Sequence, residues 1–318
     1  MKVADESPMA ARAAGMSERA ARRGSTTRIV TPTISVPQRL REIWASRELL
    51  VFLVRTEIKV KYKNSFLGIV WSMISPATTL AIYYFVFSVI LNNHVPQFVI
   101  FLFAGLLLWN LFSLGVLTGT GIVVNNAGIV KKVSFPREIL ALASVGTACV
   151  FFLFQSAVLV IFMLVLRHPP DMAYFPVLIL ALVAGIVLAG ALAVLLSAVN
   201  VYLRDVQHLI EVVLTAWFWA CPIVYAYQAN IGDKLGPKGL TWVYFLNPIV
   251  PLVLSFQRCI YAHVTVAIPG NPSYPVLPGK GMLWYVGLDL AVLLLAGIVL
   301  LIALAVFGRL EGNFAEEL

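Results

Sequence analysis

From Asn64 to Val130 the chain carries no Asp, Glu, Lys or Arg, and that stretch more than any other feature limits what the protein can fold into. A helix crossing the roughly 30 Å hydrocarbon core of a bilayer needs about 20 mostly apolar residues. The stretch is too long for one such helix and long enough for two. Its polar interruption, Asn92-Asn93-His94-Val95-Pro96-Gln97, divides it into a first span at about 66–91 and a second at about 98–124. The same ruler places further spans at about 139–166, 174–201, 212–229 and 282–307. Composition agrees. Hydrophobic residues make up 60% of the chain and charged residues 12%, against about 45–50% and about 25% in soluble domains, which excludes an ordinary soluble enzyme. The expected fold is an all-α integral membrane protein with six transmembrane helices.

Charge is concentrated at one end. Residues 1–63 hold 13 Lys/Arg and 6 Asp/Glu, while the other 255 hold 10 and 9. A basic arm on an apolar body suits an anionic membrane surface. Nucleic acid is not an expected partner, because that would require basic residues spread over a folded surface. With the N-terminus inside, 18 of the 23 Lys/Arg lie on the cytoplasmic side, so the positive-inside rule puts both termini in the cytoplasm of an inner-membrane, multi-pass protein. Residues 1–36 have almost no large apolar side chains and are expected to be disordered. Over 37–64 the pattern changes: Ile43, Leu50, Val51, Val54, Ile58 and Tyr62 recur at helical spacing, and Arg47, Arg55, Lys59 and Lys61 supply charge around them. This predicts an amphipathic helix lying in the inner headgroup layer.

Between the fifth and last predicted spans the chain is rich in Pro and Gly, yet 242–261 is apolar and interrupted by Pro248 and Pro251. Irregular backbone at membrane depth requires shielding by protein or a water-filled cavity. Two short re-entrant helices flanking Asn247 and Pro248 are therefore expected. At the inner end of the fourth span, Arg204 and Asp205 are expected to pair and cap the helix. Gly115, Gly119, Gly185 and Ala189 permit close helix approach.

Much chemistry is excluded. The chain has no G-x-x-x-x-G-K-[ST] string, so it carries no P-loop for ATP. Its four histidines sit singly in different connections, and Cys149, Cys221 and Cys259 show no paired spacing, so neither a metal site nor a disulfide framework is expected. Asp289 is the one acidic residue well inside a predicted span. Ion coupling, which uses such groups, has little to work with, and the driving energy is expected from another subunit.

Four strings, taken in order, carry a resemblance. They are RTEIKVKYKNSFLGIVW from Arg55 to Trp71 with Pro76 beyond it, VKKVSFPREIL from Val130 to Leu140, NVYLRDV from Asn200 to Val206, and Asn247-Pro248. Together they resemble the membrane subunits of ABC transporters that export lipid-linked polysaccharides of the O-antigen, teichoic acid or galactan type, over roughly residues 40–318. The resemblance implies a homodimeric permease that binds two copies of a separate ATPase subunit. ATP and Mg would sit on that partner, and no cofactor on this chain. It also implies a cytoplasmic coupling helix around 126–138, with Lys131, Lys132, Phe135, Pro136, Arg137 and Glu138 meeting the ATPase. The amphipathic helix becomes an interface or gate helix, and the segment around Asn247 and Pro248 an outer gate. In sign, Lys131, Lys132 and Arg137 suit acidic groups on a partner.

A glycan must slide rather than be gripped, and aromatic faces stack on sugar rings with little dependence on register. Trp217 and Tyr225 share a face of the fifth predicted span with Phe218 alongside, and the first span offers Tyr84 and Phe87. These five residues are the expected conduit lining. A permease for drugs or small lipids would share the fold but would need a closed hydrophobic cavity. A glycan-modifying membrane enzyme would need acids or histidines clustered at one membrane face, and those of this chain are divided between two.

Overall fold

A computed structural model describes residues 36–63, 68–91, 95–133, 135–262, 264–266 and 274–318. The arm expected to be disordered, apart from its last residue, and the junction at 64–67 before the first span lie outside the described residues. Nine principal helices follow: α1 (Val36–Ala45), α2 (Arg47–Lys61), α3 (Trp71–Tyr84, continued by a wider turn over Phe85–Ile90), α4 (Phe98–Asn125), α5 (Glu138–Val165), α6 (Phe175–Tyr202), α7 (Val206–Trp219), α8 (Ile249–Ile260) and α9 (Met282–Leu310). A two-residue antiparallel ladder pairs Thr265 with Pro275 and Val266 with Tyr274. Among the described residues, five helices have the length and apolarity to cross a membrane: α3 with its continuation, α4, α5, α6 with its leading turn, and α9.

The bundle is built around α4 and α6. α6 packs along α9 and α4, and α5 closes against α4. Small side chains set these distances. A Cβ on Gly119 would stand 2.6 Å from the Ala193 Cβ, and one on Gly115 would stand 3.3 Å from Val145 Cγ2, so both glycines let a neighbouring helix close onto α4. α2 docks on α5 in the same way: a Cβ on Gly146 would meet Val54 Cγ2 at 2.8 Å. One turn further on, Thr147 Oγ1 donates to Glu57 Oε2 at 2.7 Å, and Tyr62 sets its ring edge against Phe151 at 6.1 Å. α3 stands apart. Only 6% of its span is fully buried, against 78% for α4, and residues such as Tyr83 and Phe87 pack only partly against the bundle.

The structure departs from the sequence reading at three places. The single amphipathic helix expected over 37–64 is two helices parted at Ser46, whose hydroxyl makes no capping hydrogen bond. The fifth span, expected over 212–229, is not one helix. α7 covers 14 residues, about 21 Å at 1.5 Å per residue, and ends ahead of Cys221-Pro222. Pro222 has no N–H to continue the ladder, and its carbonyl accepts from the buried Gln257 Nε2 of α8 at 3.0 Å. Beyond it the chain forms a wide turn over Gln228–Gly232. At the α6–α7 junction no side chain of Arg204 or Asp205 caps the helix; instead Asn200 Oδ1 accepts from the Gln207 N–H at 3.1 Å.

Short helices do flank Asn247-Pro248: Thr241–Tyr244 before and α8 after. All twelve residues of α8 are buried, including Ser255, Gln257 and Arg258.

Candidate functional site

A cavity of about 790 Å³ opens between the end of α2 and helices α3, α4, α5 and α7. About a third of its lining residues are aromatic. Tyr83 stacks on Phe218 with centroids 5.7 Å apart and planes 19° from parallel. Trp109 meets Phe218 edge-on at 5.6 Å, and Trp219 does so at 5.4 Å. The remaining wall carries neutral hydrogen-bonding groups: Ser75, Thr79, Asn110, Ser113, Gln155 and Thr215. Asn110 Nδ2 donates to Gln155 Oε1 at 3.0 Å, leaving the other amide positions for a guest. The charged members of the wall are Lys61, whose ammonium lies 4.5 Å over the Phe151 ring, and Glu211.

Of the five aromatic residues expected to line a conduit, the cavity wall contains Phe218. Tyr84 is 40% exposed and lines a separate, smaller hollow of about 200 Å³ with Phe103 and Phe162. Phe87 packs on Tyr83 and Phe98 at 6.4 and 6.3 Å. Trp217 sets its ring against Phe112 at 5.4 Å and donates its indole N–H to Asn247 Oδ1 at 2.8 Å. The Tyr225 hydroxyl bonds that of Tyr244 at 2.9 Å. Tyr84, Phe87, Trp217 and Tyr225 therefore sit outside the cavity, and their places in the aromatic wall go to Tyr83, Trp109 and Trp219. Trp109 gave no signal in the sequence, being one large apolar residue among many in α4.

The expected outer-gate residues sit at the start of α8. Asn247 Oδ1 accepts from Trp217 and from the Ile249 N–H at 3.0 Å, and Pro248 starts α8. On the same side of the bundle, Arg258 pairs with Asp171 at 2.8 Å and lies 3.8 Å over the Tyr174 ring.

A charged cluster occupies the bundle end that holds both described termini. Arg39 of α1, 4% exposed, binds Glu138 at the start of α5 and Glu311 after α9. Burial pulls the guanidinium pKa down, but the bond to Glu311 and the charge of Glu138 outweigh it, and the net shift is upward. Arg137 Nη1 donates to the Glu311 carbonyl at 2.7 Å, and its guanidinium lies 5.8 Å over the buried Phe314 ring. Arg137 and one carboxylate oxygen of Glu138 are thus bonded within the chain. Lys131 and Lys132 are exposed, Phe135 packs partly against the core, and Pro136 precedes the first turn of α5. On α2, Arg47, Arg55, Lys59 and Lys61 are exposed beside the exposed Trp44, Phe52 and Val60, the mixture an interfacial helix presents.

The family model for the ABC-2 type transporter matches residues 48–261. This chain belongs to that family. Similar curated proteins are the O-antigen export system permease protein RfbA of Myxococcus xanthus, 34% identical over 226 residues covering 70% of this chain and 84% of that protein, and two proteins of the same name from Klebsiella pneumoniae. The latter are 27% and 25% identical over 271 and 272 residues, each alignment covering 85% of this chain and 95% of the relative. As an ABC-2 protein the chain is a multi-pass membrane component of a transporter. The matched region runs from α2 through α8. Glu138 falls within it, and its partners Arg39 and Glu311 fall outside.

Proposed function

We propose that this chain is the permease subunit of an ABC exporter that moves a lipid-linked polysaccharide from the cytoplasmic to the outer face of the inner membrane. It works as a homodimer on two copies of a separate ATPase subunit, which binds ATP and Mg. One observation carries the reading: the cavity beside α3 is lined by the aromatic side chains Tyr83, Trp109, Phe218 and Trp219 together with neutral donors and acceptors at Asn110, Gln155 and Thr79. Stacked rings with amides and hydroxyls form a surface for sugars, apolar on their faces and polar on their edges. The names of the relatives, O-antigen export permeases, support the same cargo class. The cavity opens past the exposed α3, so a second copy facing it would convert two half-lined walls into one passage. A permease for small apolar molecules would have little use for these amides and hydroxyls.

The exposed Lys131 and Lys132 between α4 and α5 are the contact to the ATPase in this reading, with Phe135 and Pro136 shaping the loop. α2 rests at the cytoplasmic headgroup layer beside the cavity mouth. The test is a strain lacking the gene. Loss of surface polysaccharide with accumulation of its lipid-linked precursor inside the cell is expected, restored by the intact gene and restored poorly by Trp109→Ala or Phe218→Ala. Full surface display without the gene overturns the assignment.

A further inference from the structure

A second cleft, of about 430 Å³, lies between α1 and the loop leading into α5. Its wall includes Glu42, Glu138 and Glu311, with Arg39 as its cation and Phe135 and Pro136 as its apolar floor. The charges do not balance. Arg39 engages one oxygen each of Glu138 and Glu311. The second oxygen of Glu138, on a side chain 1% exposed, is buried without a hydrogen-bond partner among the described residues. Glu42 accepts only a 3.3 Å bond from Gln38 one helical turn away. Two carboxylates thus share the Arg39 guanidinium, Glu42 stands in the same wall without an ion pair among the described residues, and an unpartnered carboxylate oxygen at this depth has a high energetic cost unless a donor reaches it.

We propose that this cleft is an acidic socket for a basic side chain, arginine or lysine, projecting from the ATPase subunit. The inference rests on the reading of the Lys131-to-Glu138 loop as the ATPase contact, and it adds a contact of opposite sign. The lysines of the loop meet acidic groups on the partner, and Glu42, Glu138 and Glu311 behind it receive a cation. Complementary charges of both signs fix register and suppress wrong partners. The incoming cation completes a network that already joins α1, the start of α5 and the end of α9, so a push on the loop reaches three elements at once.

The test uses the full-length chain in nanodiscs of phosphatidylethanolamine and phosphatidylglycerol, titrated with the purified P-loop ATPase subunit. Glu42→Arg places the chain's own cation in the socket and leaves the Arg39 pairs intact, so unfolding temperature should not change. Affinity for the ATPase should fall about tenfold or more, as for loss of a close charge pair at an interface, with a shallower salt dependence. Replacing the cognate basic residue of the ATPase by Glu should restore binding to Glu42→Arg. Unaltered affinity and salt dependence in both Glu42→Arg and Glu138→Gln, with the wild-type chain binding normally, overturns the socket and leaves the functional reading intact. No binding by the wild-type chain overturns both. If the Glu42→Arg defect vanishes in a chain lacking residues 1–33, the occupant is the chain's own arginine-rich arm, and the proposal is likewise overturned.

Discussion

Arg39 shows how much a single side chain can hold together. It is nearly buried, touches two carboxylates from distant parts of the chain, and fills the space beside Gly308, where a Cβ would stand 2.7 Å from its Cζ. Arg39→Ala leaves Glu138 charged and enclosed without its partner, and breaking a buried pair on one side costs about 3–5 kcal/mol. The purified protein should lose several degrees in thermal unfolding, and the double replacement Arg39→Met with Glu138→Met should recover most of the loss; equal melting of Arg39→Ala and wild type contradicts the cluster. Asn247 acts similarly on the opposite side. Asn247→Leu removes the acceptor for Trp217 and for the Ile249 N–H, a loss of about 1–3 kcal/mol for buried groups left unpaired, readable in the same melts and in altered Trp fluorescence. At this scale the sequence was a poor guide. Tyr84 and Tyr83 are adjacent, and neighbouring helical positions differ by about 100°, so Tyr83 lines the larger cavity while Tyr84 lines the smaller hollow. Nothing in the local pattern marks which face of an all-apolar helix is inside.

Among the elements, the glycine contacts of α4 make the clearest prediction. Gly119→Val drives side-chain atoms into Ala193 on α6, where even a Cβ stands 2.6 Å away, and overpacking of this kind costs about 1–3 kcal/mol. A comparable Val at Gly128, where no heavy atom lies within 4 Å of a Cβ, should melt close to wild type; the reverse order would contradict the packing. The long spans were legible because a bilayer imposes length and apolarity that can be counted along the chain. The end of α7 was not. The helix stops at Trp219 because Pro222 cannot donate and because Gln257 and Asn247, some 30 residues downstream, take up the freed polar groups. A single helix over 212–229 would put Trp217 and Tyr225 on one face, but α7 ends between them. Likewise Arg39 and Glu311 lie at the two ends of the described chain, and no local period could pair them.

For the whole molecule, the distribution of basic residues predicts orientation. Lys132→Cys and Glu317→Cys, each in a background lacking the native cysteines, should react with a membrane-impermeant maleimide only after spheroplasts are opened, and Lys234→Cys should react in intact ones. Labelling of Lys132→Cys from outside contradicts the assigned sidedness. The broad class of the molecule followed from its charge-free runs and the order of its short strings, and the family match to residues 48–261 agrees. Its working geometry depends on contacts between distant segments and became visible only in three dimensions. In the proposed function the chain forms the passage and a nucleotide-hydrolysing partner drives it. Proteoliposomes loaded with lipid-linked polysaccharide test this directly. Outward glycan appearance is predicted with chain, ATPase subunit and hydrolysable ATP together, and none with the chain alone or with a non-hydrolysable analogue. Translocation by the chain without its ATPase would contradict the account.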